Sequence, residues 1–508
     1  MNLSLPQSRF LRMPKGFSAL YFTQLFSTIS FAVLFATLLL YMKEQVHLST
    51  TEANLITGVY FAYNFALHLL SGYLGGRFFS YRALVVNGII FQLVGCLILA
   101  HGTMTSLYWG LAFMLIGTGT MVTCLNMLLS QLFQPEEIQK RQTAFLWNYS
   151  SMNIGFILGF TLAGYYQLHV NYTLLFLITA ANNILALGIL CTQWKQLRDH
   201  NTFISRANHK ERWGRYAVGI SIVLLLTPLL HTLLQHARIS DALVLTTGVV
   251  MVVTLLVIAL RHTGAERKKL FAFFILLMSA QIFWMIYQLA PMSLTLFAVD
   301  NVKLQLWNFS IAPGWIQNIN SVTIALGAPL LALFFAWLRR KKQSSVSLPL
   351  QYSSGLTLSS LGLLILPIGI ALGHHGYMAF GWLFLTYVLQ AIAELLISPI
   401  GYAMVGQLVP MRWQSLYMGT LLLNTGVAAV LASFFSNYAV GTSGSSNPLI
   451  TNPSYSHAFS QLGWWTLGVA LILLLLTPLI NRFINSSSSS SRKETLGGGH
   501  FSDSSIAQ

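Results

Sequence analysis

Long apolar runs separated by short polar connections fill almost the whole chain. Windows of about 20 residues place runs at residues 17–42, 52–76, 83–100, 106–131, 143–167 and 172–194, then at 216–235 and 242–260. Six more follow at 270–299, 315–338, 350–373, 377–409, 414–440 and 458–480. A run of that length and apolarity crosses a bilayer as a helix, because a helix satisfies its own backbone polar groups in lipid. The pattern predicts an all-α polytopic membrane protein with fourteen transmembrane helices, grouped six, two and six.

Composition agrees with that reading. Of the 508 residues, 55% are hydrophobic and only 8% are charged, too apolar for an ordinary soluble protein. The net charge of +16 raises the question of nucleic acid, but the placement of the charges excludes it. With Arg9, Arg12 and Lys15 on the cytoplasmic side, alternate connections collect 25 of the 28 Lys and Arg residues, leaving only Lys43, Arg238 and Lys303 outside. One missed or extra span would scramble that split, so the positive-inside rule supports the count and puts both termini in the cytoplasm. The first run, of about 26 residues, is too long for a signal-peptide core and reads as a retained span.

Two sets of six spans around an inserted pair suggest a parallel repeat. That is the plan of the major facilitator fold, in which the substrate site lies near mid-membrane between two six-helix lobes. The expected organisation is a cytoplasmic N-terminus at 1–15, an N-terminal lobe at 16–194, a basic loop with a two-helix hairpin at 195–269, a C-terminal lobe at 270–484, and a disordered cytoplasmic tail at 485–508. A weak internal echo accompanies the repeat: Asn153-Ile154-Gly155 in one lobe and Asn424-Thr425-Gly426 in the other. The tail, with its Ser run and Gly497 to Gly499, has too little apolar surface to order itself.

The chemistry centres on Glu394. Of twelve carboxylates it alone falls deep within an apolar run, the other eleven lying in connections, segment ends or the tail. A charge at such a position costs roughly 2.5 to 3.5 kcal/mol, so retaining one points to a partner, a wet cavity or a proton. The plainer alternative is an acid that joins neighbouring helices. Pro399 follows five residues later and frees the carbonyl of Leu395, so a carboxylate and a carbonyl together offer a cation site. A proton and a bound ammonium would then compete for one side chain.

Asn148, Tyr149 and Asn153 supply polar groups on one run, Tyr149 and Asn153 sharing a helix face. Gln317, Asn318 and Asn320 do the same at the start of another. Both sets fit either a cavity lining or hydrogen bonding between helices. His68, in mid-span, is either a titrating group or a neutral ring held by a backbone carbonyl. Phe283, Trp284 and Tyr287 form a substrate wall or a packing face. Pro228, Pro291, Pro329, Pro367 and Pro478 bend their helices. Cys96, Cys124 and Cys191 all fall in spans, so no disulfide framework, metal site or cofactor is expected, and no carboxylate pair suggests an enzyme.

Four ordered stretches resemble the proton-dependent oligopeptide transporter family of the major facilitator superfamily. Asn148-Tyr149-Ser150-Ser151-Met152-Asn153-Ile154-Gly155 resembles its Tyr-Tyr-x-x-x-Asn-x-Gly signature. Phe283-Trp284-Met285-Ile286-Tyr287, running on to Pro291, is similar to its Phe-Trp segment. Trp315-Ile316-Gln317-Asn318-Ile319-Asn320 resembles its Trp-Phe-Gln-x-x-Asn-Pro motif, and Glu394-Leu395-Leu396-Ile397-Ser398-Pro399-Ile400-Gly401 its Glu-Leu-x-x-Ser-Pro-x-Gly motif. The resemblance implies a bacterial inner-membrane transporter of small peptides. In it Glu394 would hold the peptide amino terminus, Asn153 and Asn320 the peptide backbone, and Tyr149, Gln24 and Trp284 would line the site.

The departures from the family are as informative. Its first-span Glu-x-x-Glu-Arg falls on Gln24, Ser27 and Thr28; its fourth-span Lys falls on Val122; its seventh-span acid falls on Gln288; and its loop Asp falls on Gly76. No cation remains in the membrane part of the N-terminal lobe to meet a peptide carboxylate. Neutral donors such as Gln24, Asn64, Asn148 and Asn153 are left for it, without charge assistance. The expected activity is therefore alternating-access transport of di- and tripeptides, with Glu394 and His68 as the groups available for proton coupling. The alternatives are a carrier of another amine-bearing solute without coupling, or a sensor that binds without transporting.

Overall fold

The computed structural model describes residues 13–134, 136–200, 202–306, 308–342, 346–441 and 445–486. Arg9, Arg12 and the tail beyond residue 486 lie outside them. The helices are α1 (Phe17–Glu44), α2 (Thr50–Leu74), α3 (Tyr81–Leu99), α4 (Met104–Gln131), α5 (Ile138–Leu168), α6 (Tyr172–Thr192), the short α7 (Phe203–Arg206), α8 (His209–Gln235) and α9 (Ala237–Arg261). They continue with α10 (Gly264–Tyr287), the short α11 (Ser293–Asn301), α12 (Pro313–Lys342), α13 (Leu348–Ala371), α14 (Phe380–Leu408), α15 (Gln414–Val440) and α16 (Pro448–Ile484). Fourteen of them are long. Twelve are apolar enough to cross a membrane by composition, and α2 and α5 fall short because they carry polar residues that face inward, among them Asn54 and Asn64 on α2 and Asn148 and Ser151 on α5.

Local chemistry sets the helix boundaries. Ser49, Ser80 and Thr103 cap α2, α3 and α4 by accepting from the backbone N–H three residues on. The expected run at 270–299 is split, since Pro291 cannot donate to a helical ladder and α10 stops at Tyr287. The carbonyl of Ala290 in that break accepts from Thr295 Oγ1 at 2.7 Å and from Gln317 Nε2 at 3.1 Å. Pro228, Pro329, Pro367 and Pro478 all lie within continuous helices. Two-residue strands in the connections were not expected: Val302–Lys303 pairs with Met378–Ala379, and Gln305–Leu306 with Phe309–Ser310.

Chain order alternates the helix ends between two faces. Lys15, Arg77, Arg82, Lys140, the 195–215 segment, Arg267 and Arg412 lie at one, called here the basic face, and the α1–α2 connection lies at the opposite, neutral face. In the first lobe α1 packs on α5 and α6, and α3 on α4 and α6; in the second α13 packs on α14 and α16. The lobes meet through α2 against α15 and α5 against α12. The hairpin of α8 and α9 lies outside them, α8 against α4 and α9 against α2, α10 and α15.

The hydrophobic core shows how the lobes are posed. Toward the neutral face one core runs through both lobes, from Tyr41, Tyr60 and Phe176 to Phe297, Tyr455 and Phe459. Toward the basic face it divides in two: Leu84, Leu125 and Leu190 belong to one core, and Phe273, Tyr352 and Ile397 to another. Hydrogen bonds between lobes sit at the neutral end, where Asn54 Nδ2 donates to Asn437 Oδ1 at 2.8 Å and Trp315 Nε1 to the Thr161 carbonyl at 2.9 Å. The molecule is thus closed at the neutral face and parted toward the basic face.

The α11 end is tied down from within the second lobe. Buried Asn301 donates through Nδ2 to Thr451 Oγ1 at 2.7 Å and Asn452 Oδ1 at 2.8 Å. Asn301→Ala leaves both α16 acceptors without that donor, and a loss of about 1–3 kcal/mol is expected, read as a lower thermal-melting midpoint in detergent. An unchanged midpoint would show that the network contributes nothing.

Candidate functional site

A cavity of about 300 Å³ occupies the space between the lobes, within the size range of small-molecule sites. Seven of the residues singled out from the sequence line it: Gln24 on α1, His68 on α2, Tyr149 and Asn153 on α5, Trp284 on α10, Asn320 on α12 and Glu394 on α14. Their convergence from six helices explains why no local sequence motif contains them all.

The second lobe supplies the charge. Asn320 Nδ2 donates to Glu394 Oε2 at 3.0 Å, which fixes the carboxylate toward the cavity. Gln317 beside it donates to the Ala290 carbonyl, so the α10–α11 break and the start of α12 are locked together under the site. Trp284 and Tyr287 face the cavity with ring centroids 5.4 Å apart and planes at 76°, an edge-to-face pair. Phe283 instead is buried in the core of the second lobe.

The first lobe supplies a neutral wall. Gln24 Nε2 donates to Thr28 Oγ1 at 3.1 Å, and Thr118 Oγ1 donates to Asn64 Oδ1 at 2.7 Å. Asn153 Nδ2 donates to the Tyr149 carbonyl at 2.9 Å, leaving its Oδ1 as an acceptor at the wall. Asn148 is turned away, donating to Asn126 Oδ1 at 3.4 Å outside the lining. Asn318 is likewise used between helices, donating to Thr161 Oγ1 at 3.1 Å. Among the lining residues Glu394 is the single carboxylate, and there is no Lys or Arg.

His68 is not held by a backbone carbonyl through Nε2, which is buried with no protein partner. Gln288 Oε1 and Gln390 Nε2 share that condition, and all three belong to cavity-lining side chains. Buried polar atoms without partners are uncommon in folded proteins.

Several lining residues escaped the sequence reading. Tyr387 and Gln390 precede Glu394 by seven and four positions on α14, a helical spacing that would have found them. The phenyl rings of Phe31, Phe35, Phe61, Phe65, Phe156 and Phe160 form an apolar side of the first-lobe wall. Nothing in the sequence separates them from the other phenylalanines in packed spans.

The POT family model matches residues 82–449. The chain is 27% identical to dipeptide and tripeptide permease A of Cronobacter turicensis over 93% of this chain and 94% of that protein. It is 28% identical to permease A of Chromobacterium violaceum over 93% and 94%, and 25% identical to dipeptide and tripeptide permease B of Salmonella typhimurium over 96% and 99%. In fold it is similar to the crystal structure of peptide transporter POT in complex with sulfate, with a TM-score of 0.82, 23% identity and coverage of 94% and 98%. A POT family transporter in complex with 5-aminolevulinic acid gives 0.77, with 23% identity and coverage of 94% and 99%. With its family model spanning most of its length, from the third helix to the start of the last, the chain belongs to the POT family.

Proposed function

We propose that the protein is a secondary active transporter of di- and tripeptides in a bacterial inner membrane, working by alternating access. The observation that carries this reading is the Glu394–Asn320 pair in an otherwise uncharged cavity between two lobes whose joining hydrogen bonds sit at the neutral end. Relatives named dipeptide and tripeptide permeases cover nearly the full chain, which supports the same substrates here. Glu394 receives the peptide ammonium. The neutral donors and acceptors of α1, α2 and α5 face the rest of the backbone. In this reading residues 16–194 and 270–484 are the rocking lobes, the hairpin in 195–269 rides outside them, and both termini lie on the basic, cytoplasmic side. The state described is then open inward, and Glu394 and His68 are the cavity groups available to carry a proton.

A second reading, transport of other amine-bearing solutes, is favoured by the missing cation. A zwitterionic peptide leaves its carboxylate facing only neutral partners, and hydrogen bonds without charge assistance are roughly half as strong. Counterflow in proteoliposomes, with and without a proton gradient, tests both readings. A labelled dipeptide should be displaced about equally, within roughly threefold, by its free-acid and carboxy-amidated forms, whereas blocking the amino terminus should cost at least about tenfold. A strong preference for the free carboxylate would contradict the neutral wall. Binding without counterflow would indicate a sensor.

A further inference from the structure

Among the described residues, Asp241 is the acid that is buried without a partner although its sequence position reads as a segment end. It precedes the apolar run at 242–260 and reads as a segment end, yet α9 begins at Ala237 and takes Asp241 inside. Its side chain is only 2% exposed, and neither carboxylate oxygen has a hydrogen-bond partner. The mechanism above makes no use of it.

Its position gives that burial a meaning. Val244 and Leu245, three and four residues on and therefore on the same helix face, pack with Ala62 and Tyr63 of α2 and Val427 and Val430 of α15. Gly248, one further turn along, lets α9 approach so closely that a Cβ there would stand 2.8 Å from Val427 Cγ2. Asp241 is thus sealed behind the seam where the two lobes meet, by the only helix of the hairpin that packs on both α2 and α15.

The groups around it do not neutralise a charge. From α2, the Tyr63 hydroxyl lies beside Ser240 and Asp241. Ser240 Oγ is committed to the Leu233 carbonyl at 2.6 Å. On α8, His231 stacks on Trp109 with ring centroids 4.1 Å apart, and His236 is exposed at the turn. Arg238 on α9 is exposed, the charges of α10 sit at its other end in Glu266 to Lys269, and α15 carries none. None of these forms an ion pair with Asp241. An ionised carboxylate in such a place is far costlier than a protonated one.

We propose that Asp241 is a proton-binding site outside the substrate cavity that latches the neutral-end seam, protonated while α2 and α15 are in contact and ionised once they part. The proposal rests on reading the lobes as rocking bodies. When they separate at the neutral end, α9 cannot follow both α2 and α15, and water reaches the carboxyl group. The proton then leaves to that water, and it must return before the seam can close around Asp241 again. Acid on the neutral side therefore drives the protein toward the state that is open at the basic face, whatever occupies the cavity.

The test is a distance measurement on the full chain in lipid nanodiscs without substrate. Spin labels go on Thr51→Cys and Tyr438→Cys, both exposed near the neutral ends of α2 and α15, with Cys191→Ser removing the exposed native thiol. The ratio of closed to open distances should rise as pH falls, by up to about tenfold per pH unit for a single proton. Asp241→Asn should stay closed across the whole range, and Glu394→Gln should keep the parent's response. A pH response that persists in Asp241→Asn and vanishes in Glu394→Gln would place the proton in the cavity and overturn the proposal. If a dipeptide shifts the distances and pH does not, the lobes rock and the latch is wrong; if neither produces a second distance, the rocking reading itself fails. Asp241→Asn should also melt no lower than the parent, since it removes the cost of protonating a buried acid that has no partner, and a lower midpoint counts against the latch.

Discussion

Replacing Glu394 with Gln should reduce dipeptide binding by between tenfold and about 150-fold and remove measurable counterflow. The cavity holds one carboxylate and no Lys or Arg, so no second charge can take over the ammonium. A hydrogen bond to a charged group is worth about 1.5–3 kcal/mol, and each 1.4 kcal/mol is tenfold in affinity. Glutamine keeps the shape and can still meet Asn320, so the loss reports the charge rather than a collapsed site. Asn320→Ala should cost less, because the carboxylate stays and only its orientation is freed. Calorimetric binding and proteoliposome counterflow on the two variants check the order. Affinity within about threefold of the parent in Glu394→Gln would remove the residue from the site.

The second large effect is expected at Gly164, which has no part in the cavity. On α5 it lies against the Trp315 ring of α12, and a Cβ there would overlap that ring. Beside it Gln167 bridges the lobes, accepting from the Gly314 N–H at 2.7 Å and donating to the Ala36 carbonyl at 3.0 Å. Gly164→Val overpacks this joint, which costs about 1–3 kcal/mol in a packed setting and falls mainly on the state closed at the neutral face. Counterflow should drop by tenfold or more, while binding to Glu394 from the opened side persists. Parental counterflow in Gly164→Val would show that α5 and α12 need not close so tightly.

How much of this was legible in the chain follows from where each signal resides. Span positions came through because lipid imposes a length and an apolarity that twenty consecutive residues display together. Glu394 stood out because a lone acid in such a run has no ordinary explanation, and the structure places it in the cavity lining. The break before α11 did not, although Pro291 was in view, because apolar character continues across it. Asp241 was hidden by the choice of helix start: an acid one turn inside a helix and an acid just before it look alike in sequence, and only the approach of α2 and α15 separates them. The phenylalanine wall was hidden for the converse reason, since a ring lining a cavity and a ring filling a core obey the same periodicity. Charge pattern showed which end of the bundle is basic, but the closure at the other end depends on distant pairs such as Asn54 with Asn437.

The joint between the lobes has a thermal consequence. Gly58 meets Ser433 so closely that a Cβ would lie 2.7 Å from the serine Cβ, and one on Gly426 would lie 3.1 Å from the Ala62 carbonyl oxygen. Surfaces made of glycine, serine and bare backbone wet readily when drawn apart. Since heat-capacity change follows newly hydrated apolar area and is offset by polar area, opening at these points carries little of it. These two contacts therefore add little to the heat-capacity difference between the poses, which is carried instead by the apolar core that spans both lobes at the neutral face, and the balance between the poses shifts with temperature as that core is hydrated.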